Sequence, residues 1–186
     1  VACGDADGAI TGNTRRFGAS LDKIKQVVDV RDGEIMFGLN MVVHKGKTIF
    51  VGDTSVHEYP TSEQLAEIAI STARVVRLFG FDPKVAFVSH STFGQPLTSR
   101  TKHIRNAVDI LKEKKVDFEF DGDMQPDVAL NPEYKDLYPF SKIVGKANIL
   151  IMPGQHSAAI SYKMMKTLGD TKVIGPLLIG LGLPIE

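Results

Sequence analysis

Lys84-Val-Ala-Phe-Val-Ser89 runs directly into His90-Ser-Thr-Phe-Gly-Gln-Pro-Leu-Thr98, and that junction decides the fold. Four consecutive apolar residues, Val85–Val88, suit a strand covered on both faces, the situation of a parallel strand between helical layers. A polar loop follows, and a helix is expected from about Ser99 to Lys115. Strand, polar loop and helix in that order form one α/β repeat.

The same alternation continues outward. Toward the amino terminus, Thr61-Ser-Glu-Gln64 is a capping-box sequence, in which a hydroxyl covers an early helix amide and a side-chain amide reaches back. The helix it opens is expected to reach about Phe79, with Leu65, Ile68, Ala69, Thr72, Val75, Val76 and Phe79 on one stripe, and to stop at Gly80. Ile35–Val43 and Thr48–Val51 flank Lys45-Gly46-Lys47, which reads as a hairpin. Leu21, Ile24, Val27 and Val28 fall at helical spacing within Leu21–Val30. Toward the carboxyl terminus, Phe118–Phe120 is a short strand ending at Asp121-Gly122, Ala147–Met152 a buried strand and Ser157–Leu168 a helix. Pro126–Pro139 is the least regular stretch. This order predicts an α/β domain with helices on both faces of a mixed sheet.

The 186 residues are 43% apolar and 24% charged, average for a globular domain, which excludes disordered, collagenous and coiled-coil classes. Twenty-two basic residues balance 22 acidic ones, so net charge gives no case for nucleic acid or anionic membrane as partner. Local basic clusters still suit a small phosphorylated ligand. The single Cys3 excludes an internal disulfide and a cysteine-rich zinc site, and a cytoplasmic location is expected. The longest apolar candidate, Val173–Ile185, is interrupted by Gly175, Pro176, Gly180, Gly182 and Pro184, so no membrane helix is expected. Starting at Val1 and stopping at Glu186, the sequence reads as a single-domain fragment of something longer.

Three polar segments follow strands, where open α/β sheets gather ligands. Ser89-His-Ser-Thr92 has small hydroxyls able to close around an anion, although an ordinary hydroxyl-rich loop looks the same. Asp121-Gly-Asp123 offers paired carboxylates for acid–base work or a metal, or a plain turn. Met152-Pro-Gly-Gln-His-Ser157 leads into a helix carrying Lys163 and Lys166, three residues apart on one face and able to meet two phosphates or only water. Arg15-Arg16 is a fourth candidate for gripping a phosphate. Asp5-Ala-Asp7-Gly8 fails as a calcium loop because Arg16 stands where the bidentate Glu belongs. Gly180-Leu-Gly182 lacks the third glycine and following helix of a dinucleotide site, and no two of the five histidines make a His-x-x-x-His pair.

Several of these segments together resemble the phosphate acetyl/butyryltransferase family. They are Gly4-Asp-Ala-Asp-Gly8 with Ile10-Thr-Gly12, Pro60-Thr-Ser-Glu-Gln-Leu-Ala-Glu-Ile-Ala69, Phe79-Gly-Phe-Asp-Pro-Lys-Val-Ala86, Ser89–Thr92, Asp121–Gln125, Gly145-Lys-Ala-Asn148 and Ile174-Gly-Pro176 to Gly180. Each is weak alone, but all lie in the family's order. Ser91-Thr-Phe-Gly94, Tyr138-Pro-Phe-Ser141 and Val51-Gly-Asp-Thr54 lean toward the transferase-like carboxyl-terminal domain of bacterial NADP-dependent malic enzymes.

The resemblance implies a three-layer α/β/α fold akin to isocitrate and isopropylmalate dehydrogenases, a cleft for acetyl-CoA or CoA, and a homodimer, with higher homo-oligomers in a parent chain. It implies Lys163 as a coenzyme A contact, with Lys166 standing in for an arginine that is Thr167 here; Ser89, Ser91, Thr92 and Arg16 are further ligand candidates. Other family positions also differ: an Asn is Ala159, an Asp is Gly154 and an Arg is Asp22. The family's Asp-Leu-Ser-Arg-Gly motif would begin just past Glu186, so no catalytic residue is assigned in this chain. The implied function is a regulatory or assembly module that binds acetyl-CoA. NADP and Mg or Mn would bind only in the parent's malate-decarboxylating domain. The alternatives are an active transferase making acetyl-CoA from acetyl phosphate and CoA, and a domain that only assembles the parent.

Overall fold

The computed structural model describes residues 1–12 and 14–185. Helix α1 spans Phe17–Lys25, β1 Phe37–His44, β2 Lys47–Gly52, α2 Ser62–Leu78, β3 Lys84–Val88, α3 Ser99–Lys114, β4 Glu119–Met124, α4 Pro126–Leu130, β5 Ile149–Ile151, α5 Gln155–Leu168 and β6 Thr171–Ile179. A 3-10 turn, Pro132–Asp136, follows α4. The six strands make one sheet in the order β4-β3-β5-β2-β1-β6. Strands β4, β3, β5 and β2 pair in parallel, while β1 is antiparallel to both β2 and β6.

Alternation along the central strands divides the core in two. Val85 and Phe87 of β3, Phe50 of β2, and Ile149 and Ile151 of β5 face α2 and α3. Their neighbours Ala86, Val88, Val51 and Leu150 face α4 and α5. Successive side chains of a strand point to opposite faces, so apolar residues at every position demand a cover on each side. The result is the expected three-layer α/β/α arrangement. A third, smaller core packs α1 residues Leu21 and Ile24 against Met36, Leu178 and Leu181. No helix among the described residues is long and apolar enough to cross a membrane.

The local signals mostly act where they are written. Thr61 Oγ1 accepts from the Gln64 amide, and Gln64 Oε1 accepts from the Thr61 amide. The hairpin turns through Lys45 and Gly46, both at positive φ, which glycine adopts without steric cost. Two expectations need correcting, and the place of one further run becomes clear. Helix α1 starts four residues earlier than Leu21 and stops at Lys25, leaving Val27 65% exposed; the partners of Leu21 and Ile24, not of Val27, are what tertiary packing supplies. Strand β4 continues through Asp121-Gly-Asp123, because parallel pairing with Ala86 and Phe87 extends past the supposed turn. The interrupted apolar run at Val173 is edge strand β6, a place where Pro176 costs no central ladder bond.

Leu65 is 1% exposed on α2, whereas Leu78 at its far end is 83% exposed. Leu65→Ala should therefore destabilise the protein by about 2–5 kcal/mol, and Leu78→Ala by less than about 0.5 kcal/mol. Denaturant unfolding of the two variants checks this, and equal losses would refute the assignment of the buried face.

Candidate ligand-binding site

The parallel strands deliver Asp53, Ser89, Met124 and Met152 to one edge of the sheet, each just at or beyond its strand's carboxyl end. Two buried carboxylates organise that edge. Asp53, 1% exposed, accepts at Oδ1 from the amides of Gly38 (2.8 Å), Ser55 (2.8 Å) and Val56 (3.1 Å). Its Oδ2 accepts from the His57 amide at 2.7 Å and from His57 Nδ1–H at 2.8 Å. An ionised carboxylate is stable in such a place only when every lone pair finds a donor. Here one side chain folds the Thr54–His57 segment and fixes the His57 ring.

Asp123 is fully buried at the end of β4 and plays the matching part beside β3. Its Oδ2 accepts from the Ser91 hydroxyl, its Oδ1 from the Gly94 amide at 3.0 Å, and Arg105 Nη1 stands 3.7 Å from Oδ1. Ser89 Oγ lies 3.3 Å from Ser91 Oγ, and Thr92 Oγ1 accepts from the Gln125 amide at 3.3 Å. The structure brings Ser89, Ser91 and Thr92 together, but buried and spent on the protein's own polar groups.

A crevice of about 270 Å³ is lined by Tyr59, Pro60, Ser99, Arg100, His103 and Pro153. The Arg100 guanidinium sits 5.4 Å above the Tyr59 ring, which stacks on His156 at 6.5 Å. His103 is locked: Nε2–H donates to the Pro60 carbonyl at 2.8 Å while Nδ1 meets the Ser62 hydroxyl at 3.0 Å. Nearby, the Glu63 carboxyl is held below its ordinary value of 4.5 by its own backbone amide, then by Thr61, with His103 adding attraction. A lowered carboxyl pKa stabilises the start of α2 above the ordinary value, and that support is lost as pH falls through the lowered one. The crevice's aromatic, cationic and imidazole groups were not signalled in the sequence, because they come from three separate segments.

A second concavity of about 530 Å³ opens between α1 and β6, with Ile10, Phe17, Leu21, Ile24 and Leu177 among its walls. Ser20 lines it, 6% exposed, with an Oγ that has no hydrogen-bond partner. The amino end of α1 has no side-chain cap and no acidic residue in its first turn, so its free amides favour an anion. Arg16 occupies the N-cap position beside Phe17, is exposed, and makes no ion pair among the described residues.

Lys163 and Lys166 join neither concavity. Both are exposed on α5, and Lys163 Nζ lies 6.0 Å from the Tyr162 ring centre. Gly154, at the N-cap of α5, has no room for a side chain, since a Cβ there would strike the Glu58 carbonyl.

Replacing Asp53 by Asn should cost about 1–3 kcal/mol by setting an amide donor against buried backbone N–H groups, and Ser91→Ala about 1–3 kcal/mol. Equilibrium unfolding measures both. Wild-type stability in Asp53→Asn would mean the carboxylate is not the anchor of the Thr54–His57 segment.

With the geometry in place, comparison with known proteins adds lineage. The chain matches the family described as Phosphate acetyl/butaryl transferase over residues 1–186. It is 45% identical over 186 residues to an NADP-dependent malic enzyme of Rhizobium meliloti, covering all of this chain and 24% of that one. It is 32% identical over 185 residues to a phosphate acetyltransferase of Bacillus subtilis, covering 98% of this chain and 57% of the other. Among solved structures, a phosphotransacetylase from Streptococcus pyogenes superposes with a TM-score of 0.91 at 30% identity, over 99% of this chain and 57% of that one. The sequence thus spans about a quarter of the Rhizobium meliloti malic enzyme and little more than half of the Bacillus subtilis transferase.

Proposed function

The chain belongs to the Phosphate acetyl/butaryl transferase family, and from that premise we propose that it is an acetyl-CoA-binding regulatory and assembly domain of an NADP-dependent malic enzyme. The cleft between α1 and β6 carries this reading. Coenzyme A couples an apolar-tolerant pantetheine arm to several phosphates; the cleft has apolar walls and an unsatisfied hydroxyl, and Arg16 at the uncapped start of α1 immediately precedes its lining residue Phe17. Arg16 and the α1 amides would hold phosphate, and Ser20 would meet a polar atom of the arm. Residues 1–186 act here as one domain, and NADP, a divalent metal and malate belong to the remainder of the parent chain.

Loss of transferase chemistry accompanies this role. Thr167, Ala159 and Asp22 replace groups that the transferases use, and Gly154 has no space for the carboxylate found there. Control of a distant domain requires acetyl-CoA to favour one state of the assembly, with coupling of roughly 1–3 kcal/mol. Exposed Ile160 and Met164, one turn apart on α5, support self-association through this domain. The second reading, an active phosphate acyltransferase, draws on the 32% identity to the Bacillus subtilis enzyme.

Two experiments on the natural full-length protein separate these readings. Acetyl phosphate and CoA should give no thioester above background, whereas turnover would establish the transferase; removing this domain should abolish the response of malate oxidation to acetyl-CoA, and an intact response would refute regulation. Calorimetry then places the ligand. Arg16→Ala should weaken acetyl-CoA about tenfold, or 1.4 kcal/mol, with Lys163→Ala unchanged. The opposite result would move the phosphates to α5, as the sequence resemblance implies.

A further inference from the structure

At the opposite pole of the sheet lies a groove of about 520 Å³ that the proposed function does not use. Strand β2 begins there at Lys47, and Lys146 immediately precedes β5, so the groove sits at the amino ends of the strands whose carboxyl ends form the polar edge. Val42, Ile49 and Met165 line it, and Leu168, 81% exposed at the end of α5, forms a lip. Its volume falls in the range of small-molecule sites, which combine an apolar lining with a few placed polar groups.

The charges at the rim select the occupant. Lys47 and Lys146 are both exposed, and neither side chain makes an ion pair or hydrogen bond among the described residues. Among the described residues no aspartate or glutamate lines the groove; Asp170, between the lining residues Gly169 and Thr171, touches His44 Nδ1 through its backbone carbonyl. The third polar group, His44, is tied through Nδ1 to Thr171 Oγ1 at 2.9 Å. Two free ammonium groups over an apolar trough complement a molecule with a hydrocarbon tail and an anionic head. A second copy of this chain fits less well, because a two-fold contact centred here would set the lysines against their own counterparts.

We propose that this groove binds a medium-chain alkyl carboxylate, its tail on Val42, Ile49 and Met165 and its head between Lys47 and Lys146. The site is separate from the acetyl-CoA cleft, so its occupancy is independent of that reading.

Titration of the full-length protein with decanoate below its micellar concentration, followed by calorimetry, tests this directly. Saturable binding is expected, weakened about tenfold or more in the Lys47→Glu/Lys146→Glu double variant and in Leu168→Asp, with decan-1-ol binding about tenfold more weakly than decanoate. The substituted side chains are exposed, and thermal unfolding of the same variants reports whether the fold is intact. Absence of saturable decanoate binding overturns the proposal. So does equal binding by the charge-reversed protein. A third contrary outcome is a fall in sedimenting mass on charge reversal with no decanoate binding by the parent protein, which would make the groove an interface between copies.

Discussion

Everything in this molecule follows from strands that are apolar on both faces. Phe87 and Ala86 are neighbours on β3, yet one is buried under α2 and α3 and the other under α4 and α5. Apart from Lys84 at the start of β3, strands β3 and β5 carry no polar side chain, and polar groups gather toward the ends of the strands. At the carboxyl ends of β2 and β4 the unsatisfied amides of the departing loops converge, and Asp53 and Asp123 gather them. These aspartates are the hinge between core and surface: buried as deeply as any apolar residue, and tolerable only because donors surround them.

That constraint changes how the hydroxyl-rich loop is understood. Ser89, Ser91 and Thr92 have the composition of an anion-binding loop, but a buried carboxylate already lies beside them and takes the Ser91 hydroxyl. The groups left facing outward are different: Arg100 over Tyr59 in the crevice, Arg16 at the open start of α1, and the lysines on α5. The family relationship and the free groups point the same way, toward a ligand with apolar and anionic parts. A Cβ at Gly154 would strike the Glu58 carbonyl, so the start of α5 accepts no side chain at that position.

The fold was legible in the chain wherever the determining physics is local or periodic. The capping box at Thr61 and Gln64, the Lys45-Gly46 turn and the two-faced β3 run all need only a few neighbouring residues, and all appear where the sequence places them. Legibility failed where partners come from far along the chain. Val27 has helical spacing but nothing to pack against, so α1 ends before it. Asp121-Gly-Asp123 has turn composition, yet pairing with β3 makes it strand. Strand β6 carries a proline and two glycines nearby, and only its place at the sheet edge allows it.

By itself the sequence determined the α/β class, the starts of α2 and α3 and the family, because apolar period, capping residues and ordered short motifs are written in adjacent positions. Only the tertiary structure decided which polar residues are free. Asp53 joins amides from Gly38 to His57, Ser91 turns inward to Asp123, and Ser20 is left without a partner, since hydrogen-bond satisfaction depends on which distant segments are folded together.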